Sequence, residues 1–149
     1  MAKDVTFKRL PEVYPNNLKV FDHNIKPEDI YQNELGDCYL LASSSAVAED
    51  PDRIKRLFKT KQVDPVGKYH LNLFLEGIWR EVVVDDYIPV RSDGQPKFSG
   101  TKNSEAWALL LEKAYAKAYG GYYNIEGGRA HEALGELTGA PIKLFAMIK

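Results

Sequence analysis

The chain has 149 residues, 44% of them hydrophobic, with a formal net charge of −1. It is long enough to bury one sizeable core, and its interspersed charges leave no basic face for nucleic acid and no polybasic membrane patch. A single cysteine forms no internal disulfide, and no apolar run approaches a signal-peptide core or a membrane span. The expectation is a cytoplasmic protein without nucleic-acid partners or direct membrane insertion.

Residues 1–30 carry Pro11, Pro15, Asn16-Asn17 and Pro27, which predict an extended, irregular arm packed on the domain by Phe7, Leu10, Val13, Leu18 and Phe21. Gly36-Asp37 is a helix start, followed by a small, apolar run from Cys38 to Ala48. Asp50-Pro51 supplies a cap and a first-turn proline for a second short helix, whose apolar face is Ile54, Leu57 and Phe58. A loop over 59–67 follows.

Tyr69, Leu71, Leu73 and Leu75 alternate with mostly polar residues, and Ile78 to Val84 is again rich in β-formers after Glu76-Gly77, so the two segments read as a hairpin. Asp85-Asp86 closes it as a solvated turn. Residues 91–103 are predicted to be a long surface loop. Ser104 is the expected N-cap of the longest helix, with Trp107, Leu110, Leu111, Ala114, Tyr115 and Ala118 at helical spacing up to Gly120-Gly121. A short helix near 130–137 follows Gly127-Gly128. The predicted class is α+β, mostly helical with a small antiparallel β element.

Cys38 is the residue with chemistry. In a first helical turn, unpaired N–H groups and the positive end of the helix dipole favour the thiolate, whose unperturbed pKa is about 8.5. Gln32, six residues earlier across a bend that Gly36 permits, has an amide able to stabilise the oxyanion formed when a thiolate attacks a peptide carbonyl. A buried structural cysteine beside a surface glutamine would leave the same pattern.

The segment Gln32, Leu35-Gly36-Asp37-Cys38, Leu40-Leu41-Ala42 resembles the active-site segment of the calpain family of calcium-regulated intracellular cysteine endopeptidases. The resemblance continues through Val82-Val83-Val84-Asp85-Asp86-Tyr87-Ile88-Pro89, through Ser104 to Lys117, through Gly127-Gly128 and through Leu137-Thr138-Gly139. It covers about residues 7–140, in the family's order.

The resemblance implies the first lobe of a papain-like cysteine protease over 1–149, with Cys38 as nucleophile, Gln32 as oxyanion donor and Gly128 offering its backbone to an extended polypeptide substrate. It implies a calcium site with carboxylates from Asp29 and Glu105, completed by backbone carbonyls near Asp22 and Asn24. Calcium takes about six to eight oxygens, mixing carboxylates and carbonyls on irregular backbone. It also implies a partner, a second lobe bearing the catalytic histidine and asparagine, without which this chain should be folded but inactive. His23, His70 and His131 are accordingly read as solvated or structurally hydrogen-bonded, with a Cys38–His131 dyad the remaining exception.

Tyr39 stands where many calpains have tryptophan, Asn33-Glu34 replaces a common glycine-containing pair, and Pro27 replaces an arginine that helps couple calcium to the other lobe. The rival function is a non-catalytic, single-lobe regulatory protein that binds calcium or an extended peptide. Retention of both Gln32 and Cys38 argues against it.

Overall fold

A computed structural model describes residues 5–32, 35–143 and 145. Asn33-Glu34 therefore lies outside the described residues. The fold is α+β, as expected, but among the described residues its strands form three separate two-stranded antiparallel ladders. A long helix packs against strands of two of these ladders, and its buried side chains contribute to the core.

The N-terminal segment is more regular than its prolines suggest. β1 (Thr6–Arg9) pairs with β5 (Tyr87–Val90), and α1 (Leu10–Val13) follows at once with Pro11 in its first turn. Leu10 and Val13 are buried, whereas Phe7 is 48% exposed and does not anchor the arm. Backbone pairing does that work instead, helped by Asp86. The Asp85-Asp86 pair is only half the solvated turn predicted: Asp85 is exposed, but Asp86 is 2% exposed and accepts two hydrogen bonds from the Arg9 guanidinium, at 2.9 and 3.0 Å. Its backbone carbonyl also accepts from Leu10 N at 2.9 Å.

A 3-10 turn at Pro27–Asp29 leads into β2 (Ile30–Gln32), which pairs with β6 (Ser99–Thr101) so that Gln32 faces Ser99. β6 corrects the expectation of a surface loop over 91–103. Its three residues are buried, and the ladder with β2 satisfies backbone groups there that a surface loop would have left to water.

α2 (Cys38–Ala48) buries Leu40, Leu41, Val47 and Ala48, and its Ser43 and Ser44 hydroxyls donate back to the carbonyls of Tyr39 and Leu40 at 2.7 and 2.8 Å. α3 (Pro51–Arg56) starts on the predicted cap, the Asp50 carboxylate accepting from Asp52 N at 3.2 Å. β3 (Lys68–Leu75) and β4 (Ile78–Asp85) form the hairpin, with Tyr69, Leu71 and Leu73 turned into the core.

α4 (Trp107–Ala118) begins three residues after Ser104, which has φ 56° and caps nothing. Tertiary pairing displaces the cap. Ser104 O accepts from Lys19 N at 3.2 Å, Ala106 N donates to Lys19 O at 2.8 Å and Trp107 N to Val20 O at 3.1 Å, so the arm satisfies groups that a capping side chain would otherwise serve. A second 3-10 turn spans Tyr122–Ile125, and α5 (Ala130–Thr138) packs on α2.

Candidate active site

Cys38 is the first residue of α2 and is exposed. The helix is started by the Asp37 carbonyl, which accepts from Leu40 N at 2.9 Å and Leu41 N at 3.1 Å. The Asp37 side chain makes no cap and is fully buried instead. The thiol thus projects from a helix N-terminus with free N–H groups, where the dipole favours an anion.

Gln32, also exposed, stands at the end of β2 with its amide donating to the Leu35 carbonyl. A side-chain amide carries two N–H donors, so that bond orients the group and leaves a second donor without a partner among the described residues. Behind the loop, Gly36 O accepts from Gly127 N at 2.9 Å, tying the Gly127-Gly128 segment to the residues that precede Cys38. Gly127 has φ 68°, which favours glycine. Gly128 is exposed, and a Cβ there would lie 2.4 Å from the Tyr39 ring. The ring is itself fixed by a 2.7 Å hydrogen bond from its hydroxyl to Ile125 O.

Glu105 is fully buried just before α4. Its Oε2 accepts from Asp22 N at 3.0 Å, while its Oε1 is buried without a hydrogen-bond donor among the described residues. Burial pushes its carboxyl above the usual range, and the nearby Asp22 and Asp29 charges push it the same way. Asp29 accepts from Asn103 Nδ2 at 3.1 Å, and its carbonyl accepts from Lys102 N at 3.1 Å. The structure therefore brings Asp22, Asp29 and Glu105 into one electrostatic neighbourhood. Asn24 lies exposed in the same irregular segment.

The family model described as "Calpain family cysteine protease" matches residues 1–149. The chain belongs to the calpain family. It is 38% identical over 93% of its length to the calpain-type cysteine protease DEK1 of Zea mays, 34% identical over 93% to Calpain-5 of Caenorhabditis elegans, and 34% identical over 93% to Calpain-12 of Homo sapiens. It covers only 6%, 22% and 20% of those proteins respectively. The family so described is one of cysteine proteases.

In this calpain-family chain no histidine is hydrogen-bonded to Cys38 among the described residues. His70 Nδ1 lies 2.6 Å from Glu81 Oε1 across the β3–β4 hairpin, His23 is exposed in the arm, and His131 is half-buried in the first turn of α5. Two surface cavities, of about 640 and 550 Å³, are lined by residues of the hairpin, α3, α4 and α5, and neither includes Cys38 or Gln32.

Sequence reasoning missed what lies directly beneath the nucleophile. Asp37 and Glu112, the latter from α4, are 0% and 3% exposed and lie near enough for each to act on the other's ionisation. Glu112 Oε1 also accepts from Ser99 N at 3.3 Å. The signal was present: Glu112 falls four residues after Ala108 and three before Tyr115, on the apolar stripe of the longest helix, where an acid without a function is out of place.

Proposed function

We propose that this chain is the nucleophile-bearing lobe of a calcium-regulated cysteine endopeptidase acting on polypeptides, with Cys38 as nucleophile and Gln32 as oxyanion donor. The observation that carries this reading is the exposed thiol at the first position of α2, with the exposed Gln32 at the end of β2 and its amide held by the Leu35 carbonyl in the loop leading to Cys38. The Cys38 thiolate adds to a peptide carbonyl carbon, and the carbonyl oxygen takes the negative charge. The second N–H of Gln32 stabilises that oxyanion, a contribution of about 10²–10³ in kcat for one such donor. Collapse of the intermediate expels the amine, which must take a proton, and leaves a thioester for water to hydrolyse.

This chain supports the anionic side of the chemistry and lacks a histidine bonded to the thiol, which favours a partner lobe bearing histidine and asparagine. Gly128, beside the nucleophile loop, offers exposed backbone to an extended substrate strand. A lone exposed thiol suits a reducing cytoplasmic setting.

Calcium fits the acidic neighbourhood. Glu105 Oε1 is an unsatisfied buried oxygen, and the Asp22 and Asp29 charges act on the same carboxyl. Among the described residues no three metal-binding side chains cluster, so Asp29 and Glu105 would hold the ion with backbone carbonyls near Asp22 and Asn24. A bound calcium offsets the repulsion among these acids and ties the segment before β2 to the start of α4.

The test joins this chain to a second lobe with histidine and asparagine. Peptide hydrolysis is expected, abolished by Cys38→Ala and reduced by Gln32→Ala. The chain alone should be alkylated at Cys38 yet hydrolyse nothing; robust cleavage by it alone overturns the two-lobe reading.

A further inference from the structure

The Asp37–Glu112 contact sets two acids against each other in the interior. Both oxygens of Asp37 and Oε2 of Glu112 are buried and have no hydrogen-bond partner among the described residues. Ionised carboxylates only accept hydrogen bonds, so two buried near each other can satisfy one another only through a proton. The geometry also determines what the pair connects. Asp37 immediately precedes Cys38 and its carbonyl begins α2; Glu112 belongs to α4 and holds Ser99 N; Ser99 faces Gln32 across the β2–β6 ladder.

We propose that Asp37 and Glu112 share one proton and that the bridged pair is a positioning element that keeps Cys38 in register with Gln32. Its role in catalysis rests on the cysteine-protease reading; the proton bridge itself does not.

Burial pushes both acids upward, Glu112 well above its ordinary value, and the neighbouring Asp37 charge raises Glu112 further. The titratable groups facing the pair are Glu126 beside Asp37, and Tyr39 and Tyr122, whose own hydroxyls burial also pushes up; no cation faces it among the described residues. Neutralisation by a proton is therefore the route by which this contact is tolerated. Loss of that proton places two unscreened anions in contact, and movement of Asp37 relieves them. Asp37 cannot move without carrying the backbone of Cys38.

Glu112→Gln tests the idea, because an amide donates to Asp37 without needing a proton. Carboxyl-edited NMR of the chain should show one group of the pair titrating well above the ordinary carboxylate range. The Cys38 backbone amide and the Gln32 side-chain amide should shift with the same midpoint. In Glu112→Gln all three should lose that titration while the fold persists. In the two-lobe protein, Glu112→Gln should keep hydrolysis and carry it to higher pH, whereas Glu112→Ala should lose it.

Ordinary titration of both acids, or Cys38 and Gln32 signals indifferent to the pair, overturns the proposal. If the NMR titration appears but the two-lobe protein hydrolyses nothing, the protease reading fails and the proton bridge stands. Asp37→Asn, which also supplies a permanent donor, serves as the second variant should Glu112→Gln fail to fold.

Discussion

Gly128 lies against the ring of Tyr39, so near that a Cβ at position 128 would fall 2.4 Å from Cζ and 2.6 Å from Cε2. Glycine is thus needed there for packing, whatever a substrate requires. The ring cannot easily retreat, because its hydroxyl is bonded to Ile125 O and it packs edge-on against Tyr115. Gly128→Ala should cost about 1–3 kcal/mol, the usual range for overpacking. Removing the ring in a Tyr39→Ala background should abolish that increment. Urea unfolding of the four proteins in the cycle measures it, and a Gly128→Ala midpoint equal to the parent's would leave substrate approach as the reason for the glycine.

The same contact shows why parts of the site were legible in the sequence and parts were not. Cys38 at a helix start, the β3–β4 hairpin, the Asp50 cap and α5 are local features, set by periodicity and by turn or capping residues within a few positions. The ladders β1–β5 and β2–β6 join residues about 70 to 80 positions apart, and no local pattern specifies such pairing. Ser104 failed as a cap for the same reason, since the Lys19–Asp22 segment arrives from far along the chain to take its place. Asp86 read as part of a solvated turn until a distant partner, Arg9, was brought to it.

Calcium should be visible through Trp107. The residue is 1% exposed, its N–H is held by Val20 O, and its indole lies beside Glu105, where it favours the ionised carboxyl. Titrating calcium into the chain should change Trp107 emission with saturation. Glu105→Ala and Asp29→Ala should each remove the change, while Asp85→Ala, on an exposed strand end, should leave it intact. An undiminished titration in the first two variants moves the site elsewhere.

The pH dependence of stability has a defined sign. An acid whose folded pKa is raised contributes stability that is complete below its unfolded value, about 4.3 for glutamate, and is lost as pH rises toward the folded value. Glu112, Asp37 and Glu105 all act in this direction. Asp22, Glu81 and Asp85 are lowered, so their contribution is present above the unfolded carboxylate range and lost as pH falls. Thermal unfolding should therefore show stability declining from mildly acidic to alkaline pH. Glu112→Gln should flatten much of that decline, leaving the part due to Glu105. Glu112→Ala, which strips Asp37 of its donor, should lose about 1–3 kcal/mol near neutrality, the cost of an unsatisfied buried polar group. A decline equally steep in Glu112→Gln would place its origin in other acids.

The Arg9–Asp86 pair should respond asymmetrically to removal of its two halves. Asp86 is 2% exposed and packs where a Cβ on Gly67 would lie 2.5 Å from its carboxyl, whereas the Arg9 side chain is 33% exposed and reaches water. Arg9→Met strands an anion in the interior; Asp86→Asn leaves a cation that solvent can serve. The arginine substitution should thus be the more destabilising, contrary to the expectation that a surface arginine is dispensable. Both should speed hydrogen exchange at Leu10 N, which donates to Asp86 O at 2.9 Å, and through the β1–β5 ladder. Because this ladder does not carry Cys38 or Gln32, the rate of Cys38 alkylation should stay at the parent value in both variants. Equal destabilisation by the two substitutions would mean that Asp86 finds another partner once Arg9 is gone.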